Sequence, residues 1–298
     1  MRSLKPDKDI HIQKIKIPCG HHKIPALVLS PKEKAANAPG ILWIHGGGYI
    51  AGMKEMVHMS RAVDLVKKHG AVVISPGYRL AFQAPYPAAL DDCYAALLYM
   101  KSHAEAFGIR DDQLMVGGES AGGGLCAAVC IRARDEGTVN IAFQMPLYPM
   151  LDDHDTETSR DNHGKVWNTR KNHFAWRMYL RKKVRRNVPV YAAPARLKDY
   201  SNLPPAYTFV GDGEPFYAET MEYIRHLKEE DIPAKVDVYH TNIHAFDMMN
   251  PELEISAIAA ERFNRQFACA KEHFFRLKES NAVVQLEKGI ICLILSLI

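Results

Sequence analysis

Residues 114 to 124 read LMVGGESAGGG. The first three are a short apolar run with the character of a buried strand, and residues 121–136 have helical character. Between them stands Gly118-Glu119-Ser120-Ala121-Gly122, a Gly-x-Ser-x-Gly pentapeptide. A chain that passes from strand to helix within so few residues must turn sharply, which strains the serine backbone. Small residues at 118 and 122 let neighbouring chains pass close, so the Ser120 hydroxyl projects above the sheet edge. The helix behind it aims its first N–H groups at the same place. Taken alone, the stretch also reads as a glycine-rich helix start that binds phosphate. The rest of the chain has to decide between the two.

Outward from this point, strands and helices alternate. Residues 12–17 and 26–30 read as an opening hairpin, and 40–44 as a short buried strand followed by glycines. Helical spacing over 57–69 ends at Gly70, and 71–75 is another buried strand. A long amphipathic helix spans 88–107. After the serine turn come strands at 141–148 and 207–210, a helix at 215–230 that begins with proline, a strand at 235–239 and a last helix at 251–275. Repeated strand–helix pairs with apolar strands predict an α/β fold with a mainly parallel sheet covered on both faces. The segment 152–196 breaks the rhythm. It is polar, basic and aromatic, with Trp167, Phe174, Trp176, Tyr179 and the run RKKVRR at 181–186, and it reads as a helical lid packed over one sheet edge. The basic run reads as the solvated face of that lid, and adjacent acids such as DDHD at 152–155 rarely converge on one metal ion.

Length and composition set the outer bounds. The 298 residues can bury one large core, and a net charge of +4 gives no clustered basic balance for nucleic acid. Six cysteines without a Cys-x-x-Cys pair read as reduced thiols of a cytoplasmic protein. The N-terminus lacks the continuous apolar segment of a signal peptide. The tail GIICLILSLI at 289–298 is about half the roughly 20 residues that span a bilayer, so no stable membrane insertion is expected.

A second glycine motif, His45-Gly46-Gly47-Gly48, follows the strand at 40–44. Glycine amides there are unshielded and can point at a developing oxyanion. A serine hydroxyl needs a base at neutral pH, and the chain offers fourteen histidines. His21 and His22 sit in a hairpin turn, His45 holds the glycine loop, and His154, His163 and His173 lie in the lid. His244 follows the last strand, late in the chain. For an acid, YTFVGDGEPF at 207–216 places Asp212 and Glu214 just past a strand. A residue directly after a strand points along the sheet edge, while one two positions later can turn back toward the next loop. Both remain candidates on this ground.

Together HGGG at 45–48, YRLA at 78–81, YPAALDD at 86–92, GESAGG at 118–123 and HAF at 244–246 resemble the hormone-sensitive-lipase-like branch of the α/β-hydrolases, rich in bacterial carboxylesterases and acetyl esterases. The likeness runs from about residue 40 to about residue 275. It implies an eight-stranded, mostly parallel α/β-hydrolase sheet, with 1–298 as one domain, 152–196 as its small helical cap and 276–298 as a tail. It implies Ser120 as nucleophile, His244 as general base, and the amides of Gly47, Gly48 and Ala121 as oxyanion donors. Relatives usually carry an aspartate three residues after the glycine, followed by proline or leucine and an apolar residue. Here that position is Glu214, before Pro215 and Phe216, so the resemblance favours Glu214 over Asp212. The implied activity is hydrolysis of short-chain, acetyl-like carboxylic esters through an acyl-enzyme, without metal or cofactor. Trp167, Phe174 and Trp176 would line the entrance or else pack the lid onto the body, and Asp247 would set the His244 loop. An amidase or aryl formamidase on the same groups, and a non-catalytic small-molecule binder, are the other readings. The expected partner is a small ester, with a homodimer left open. Many relatives have a longer N-terminal cap than a glycine motif at residue 45 allows, which makes a more open entrance the expectation.

Overall fold

A computed structural model describes residues 4–33, 36–184 and 186–275. Eight strands form one sheet: β1 (Ile10–Cys19), β2 (His22–Pro31), β3 (Ala38–Ile44), β4 (Val72–Pro76), β5 (Ile109–Glu119), β6 (Phe143–Leu147), β7 (Ala206–Gly211) and β8 (Ala234–Tyr239). Their spatial order is β1-β2-β4-β3-β5-β6-β7-β8. β1, β2 and β4 pair antiparallel, and every pairing from β4 to β8 is parallel. All residues of β3, β4, β6 and β7 are buried, as strands covered on both faces must be. Alternation along β3 sends Leu42 and Ile44 to one face and Ile41 and Trp43 to the other. The first face is covered by α2 (Ala88–Ser102) and α3 (Ala121–Glu136), the second by α1 (Ala62–His69) and α7 (Glu254–His273). A third apolar group, including Leu151, Tyr223 and Leu227, packs α5 (Tyr217–Glu229).

Several elements differ in extent from the sequence reading. The helix expected over 57–69 is a 3-10 turn, Lys54–Met59, followed by α1. Ser60 separates them: its hydroxyl donates to the Val57 carbonyl and accepts from the Ala62 amide. α2 stops at Ser102 rather than 107. β5 starts five residues earlier than expected, because polar residues at 110–113 hide a strand that pairs with Ala38 before a register shift. A short α6 (Phe246–Met249) precedes α7. Within 152–196 lie α4 (Thr169–Val184), kinked at Arg181, and a 3-10 turn, Pro194–Arg196. Trp176 and Tyr179 are buried against Tyr49, so Trp176 packs the segment onto the body instead of facing an entrance. No helix among the described residues is long and apolar enough to cross a membrane. The apolar tail at 289–298 lies outside the described residues.

Candidate active site

Parallel strands end at a common edge, so their following loops meet there. β3 and β5 are neighbours, which brings His45–Gly48 beside Ser120. β7 and β8 are neighbours, which brings Glu214 beside the His244 loop.

Ser120 joins β5 to α3 with φ 57° and ψ −119°, a conformation that side-chain-bearing residues avoid. Its amide donates to Leu147 O at 3.0 Å, and its carbonyl accepts from Met150 N at 3.0 Å, so the strained turn is held by the β6 loop. The turn also needs Gly122: a Cβ there would lie 2.1 Å from Ile44 O. Ser120 Oγ lies 2.9 Å from His244 Nε2. His244 Nδ1 donates to Glu214 Oε2, and Glu214 Oε1 accepts from the Gly211 amide at 3.0 Å. The three side chains form one hydrogen-bonded line, with Ser120 6%, His244 4% and Glu214 0% exposed. Asp212 stands apart. It lies toward solvent and accepts from His240 Nδ1 at 2.8 Å and Thr241 N at 3.1 Å. The His240 hydrogen bond holds its carboxyl below the usual range.

The glycine loop curls beside the serine. His45 Nδ1 lies 2.8 Å from Gly46 O, and its ring stacks on Tyr78 at 4.2 Å. Burial pushes the His45 pKa down to about 4, so this imidazole is neutral and structural. Gly48 has φ +60°, and a Cβ on it would meet the Trp167 ring at 2.2 Å. Trp167 from the lid therefore rests directly on this loop. The amides of Gly47, Gly48 and Ala121 have no hydrogen-bond partner among the described residues. Ala121 is the first residue of α3, where amides lack an intrahelical acceptor.

Of the layer behind the line, the sequence pointed to Asp247 but not to its partners. Phe216 and Tyr148 set their rings edge-on to His244 at 5.0 and 5.2 Å. Tyr148 donates to Asp247 Oδ1 at 2.9 Å, and Asp247 Oδ2 lies 3.0 Å from Arg61 Nε, a pair with almost no exposure. Asp247 thus ties the His244 loop to α1. Ala245, at φ 55°, is the strained link between His244 and α6. Glu119 receives the Trp43 indole N–H at 2.8 Å, and burial lifts its pKa to about 8. Asp247 was the only visible signal of this layer, by its spacing from His244. Arg61 and Tyr148 are far away in the chain and carry no motif.

Two groups among the described residues bring three ligand-type atoms within 4.8 Å: Cys19, His22 and Asp92, and Asp152, Asp153 and His154. In each a guanidinium already holds a carboxylate, Arg79 on Asp92 and Arg196 on Asp153. A fixed positive charge there opposes a cation.

A family model described as alpha/beta hydrolase fold matches residues 41–248. The chain is 30% identical over 213 residues to esterase LipI of Mycobacterium tuberculosis, covering 71% of this chain and 66% of that protein. It is 30% identical over 254 residues to carboxylesterase NlhH of the same species, covering 83% and 78%. Among solved structures, a bacterial heroin esterase superposes with a TM-score of 0.81 at 30% identity, covering 87% of this chain and 83% of that one. The Pyrobaculum calidifontis esterase gives 0.78 at 30% identity, with 85% and 83% covered. The chain belongs to the alpha/beta-hydrolase family.

Proposed function

We propose that this alpha/beta-hydrolase is a serine carboxylic-ester hydrolase acting on short-chain, acetyl-like acyl esters through an acyl-enzyme. The observation that carries the reading is the line Ser120–His244–Glu214, with Ser120 Oγ 2.9 Å from His244 Nε2. Its esterase relatives support the same chemistry.

His244 Nε2 takes the Ser120 proton as Oγ attacks the ester carbonyl. Glu214 accepts from Nδ1–H, fixes the tautomer and stabilises the imidazolium. The oxyanion forms beside the amides of Gly47, Gly48 and Ala121, each donor worth about 3–4 kcal/mol in the transition state. The imidazolium then protonates the departing alcohol. Water, deprotonated by the same imidazole, hydrolyses the acyl-enzyme and regenerates Ser120. All of these steps use groups of this chain. The lid favours small acyl groups, because Trp167 lies on Gly48 beside the serine. A range from acetyl to about hexanoyl is expected. The five described cysteines are free thiols, which supports a reducing, cytoplasmic setting.

The test is an acyl-chain series of p-nitrophenyl esters together with a fluorophosphonate probe. The proposal expects labelling of wild type, none of Ser120→Ala, and a fall in kcat/KM beyond medium chains. An unlabelled, inactive wild type would mean a binding protein. Equal rates on an acetyl ester and its matched anilide would mean an amidase.

A further inference from the structure

One stretch of the sequence within the lid is electrostatically unlike the rest of the molecule. Residues 169–186 contain eight lysines and arginines and no acid, so the other 280 residues together carry −4. Such a segment raises the local concentration of anions. Arg170, Phe174 and Arg177 are spaced i, i+4 and i+7 on α4, so they share one face. That face opens on two adjoining concavities. One, of about 560 Å³, is lined by Ile50, Trp167, Asn168, Arg170, Lys171 and Phe174. The other, of about 690 Å³, shares Arg170 and Phe174 and adds Arg177 and His173. Asp161 is the acid on its wall, and it pairs with His163 at 3.0 Å. His173 pairs with Asp155. Lys171 donates to the Lys165 and Val166 carbonyls. The guanidiniums of Arg170 and Arg177 have no ion pair or hydrogen bond among the described residues, so their donors are free for a ligand.

The first concavity touches the reaction centre through two residues. Trp167 rests on Gly48, and Ile50 donates its amide to Gly47 O at 3.1 Å. A substrate whose ester lies at Ser120 would extend its far end past Trp167 toward Phe174, which is 45% exposed and paired with Phe82 at 6.3 Å. Aromatic surface flanked by two unpaired guanidiniums fits a flat apolar body ending in a carboxylate. We infer that Arg170 and Arg177 form an anion subsite that selects esters carrying a carboxylate remote from the scissile bond, on an aromatic or short apolar body. This rests on the esterase reading above for the position of the scissile bond.

The test compares 4-acetoxybenzoate with its methyl ester, each rate normalised to hydroxide hydrolysis. Wild type is expected to prefer the anion by about fivefold in kcat/KM, and Arg170→Gln/Arg177→Gln to lower that ratio about fivefold, to near one, as two exposed charge-assisted contacts allow. Arg170→Lys/Arg177→Lys should keep most of the preference, and about 0.5 M sodium chloride should weaken it. Thermal melting checks that the variants fold. Calorimetric titration of Ser120→Ala protein with benzoate reads the subsite without turnover, and its binding should disappear with both arginines. Arginine-dependent benzoate binding without hydrolysis of either ester would sink the esterase reading and leave the subsite standing. Hydrolysis of both esters at a ratio indifferent to the arginines, with benzoate binding unchanged, overturns the subsite. So does arginine-dependent sedimentation with phosphatidylserine vesicles while the ester ratio stays fixed, which would assign the basic face to a lipid surface.

Discussion

Replacing Glu214 with glutamine tests the acid assignment through a specific geometric consequence. Glu214 is fully buried, and its carboxylate accepts from Gly211 N at Oε1 and from His244 Nδ1 at Oε2. A glutamine keeps the Gly211 bond only if its carbonyl oxygen stays at the Oε1 position. Its NH₂ then faces Nδ1, which must give up its proton to accept. The imidazole proton moves to Nε2, opposite Ser120 Oγ, and the base is lost. Swapping the amide the other way keeps the tautomer but sets NH₂ against the Gly211 N–H, leaving a buried donor unpaired at about 1–3 kcal/mol. Neither arrangement supplies the charge that stabilises the imidazolium. A loss of about 10³–10⁴ in kcat is therefore expected, or about 4–5.5 kcal/mol. Asp212→Asn alters only an exposed contact to His240 and the Thr241 amide, and should change kcat by less than about threefold. The assay is p-nitrophenyl acetate turnover per active site, with melting curves to confirm folding. A Glu214→Gln enzyme retaining a tenth or more of its activity, or an Asp212→Asn enzyme that is the weaker of the two, would refute the reasoning.

Asp247→Ala leaves buried Arg61 with Asp64, 3.1 Å away, as its remaining carboxylate and should destabilise the protein by about 1–3 kcal/mol, read by urea unfolding, while Tyr148→Phe costs about 1 kcal/mol. Gly48→Ala forces a methyl into the Trp167 ring at a positive φ, so kcat/KM should fall by at least about tenfold. Trp167→Ala in the same chain should relieve the clash but not the φ strain, giving partial recovery; complete recovery would show that strain is unimportant. Glu119 and His45 act oppositely on stability. Glu119 has its folded pKa raised to about 8, so its contribution is complete below the ordinary carboxylate range and is lost as pH climbs through 8, at about 1.4 kcal/mol per unit between. His45 has its folded pKa lowered to about 4, so its contribution is complete above the ordinary histidine range and is lost as pH falls toward 4. From pH 7 to 8 Glu119 should slope and His45 should not; chemical denaturation of Glu119→Gln should be less steep than wild type over that range, while buried Glu219, whose pKa burial also raises, keeps its own share of the slope.

Local pattern set the strand–helix order, the turn at Ser120 and the glycine loop, because each depends on residues next to one another in the chain. The strained φ of Ser120 follows from the short link between β5 and α3, and Gly122 from the carbonyl of Ile44 pressed against it. Boundaries were less legible where polar residues such as Asp111 and Asp112 sit inside β5, or where Ser60 interrupts a helical period. Glu214 and Asp212 could not be separated by the residues themselves, two positions apart on one loop. Tertiary structure separates them, since the pairing of β7 with β8 turns one carboxylate inward to His244 and the other outward to His240. The same holds for Trp167, which reads as any lid aromatic until its ring is found on Gly48, and for Arg61 and Tyr148, which meet Asp247 from distant positions. A sequence records which side chains each element carries. Which of them share a hydrogen bond across the sheet edge is decided by how the strands stack, and that depends on contacts the linear order does not contain.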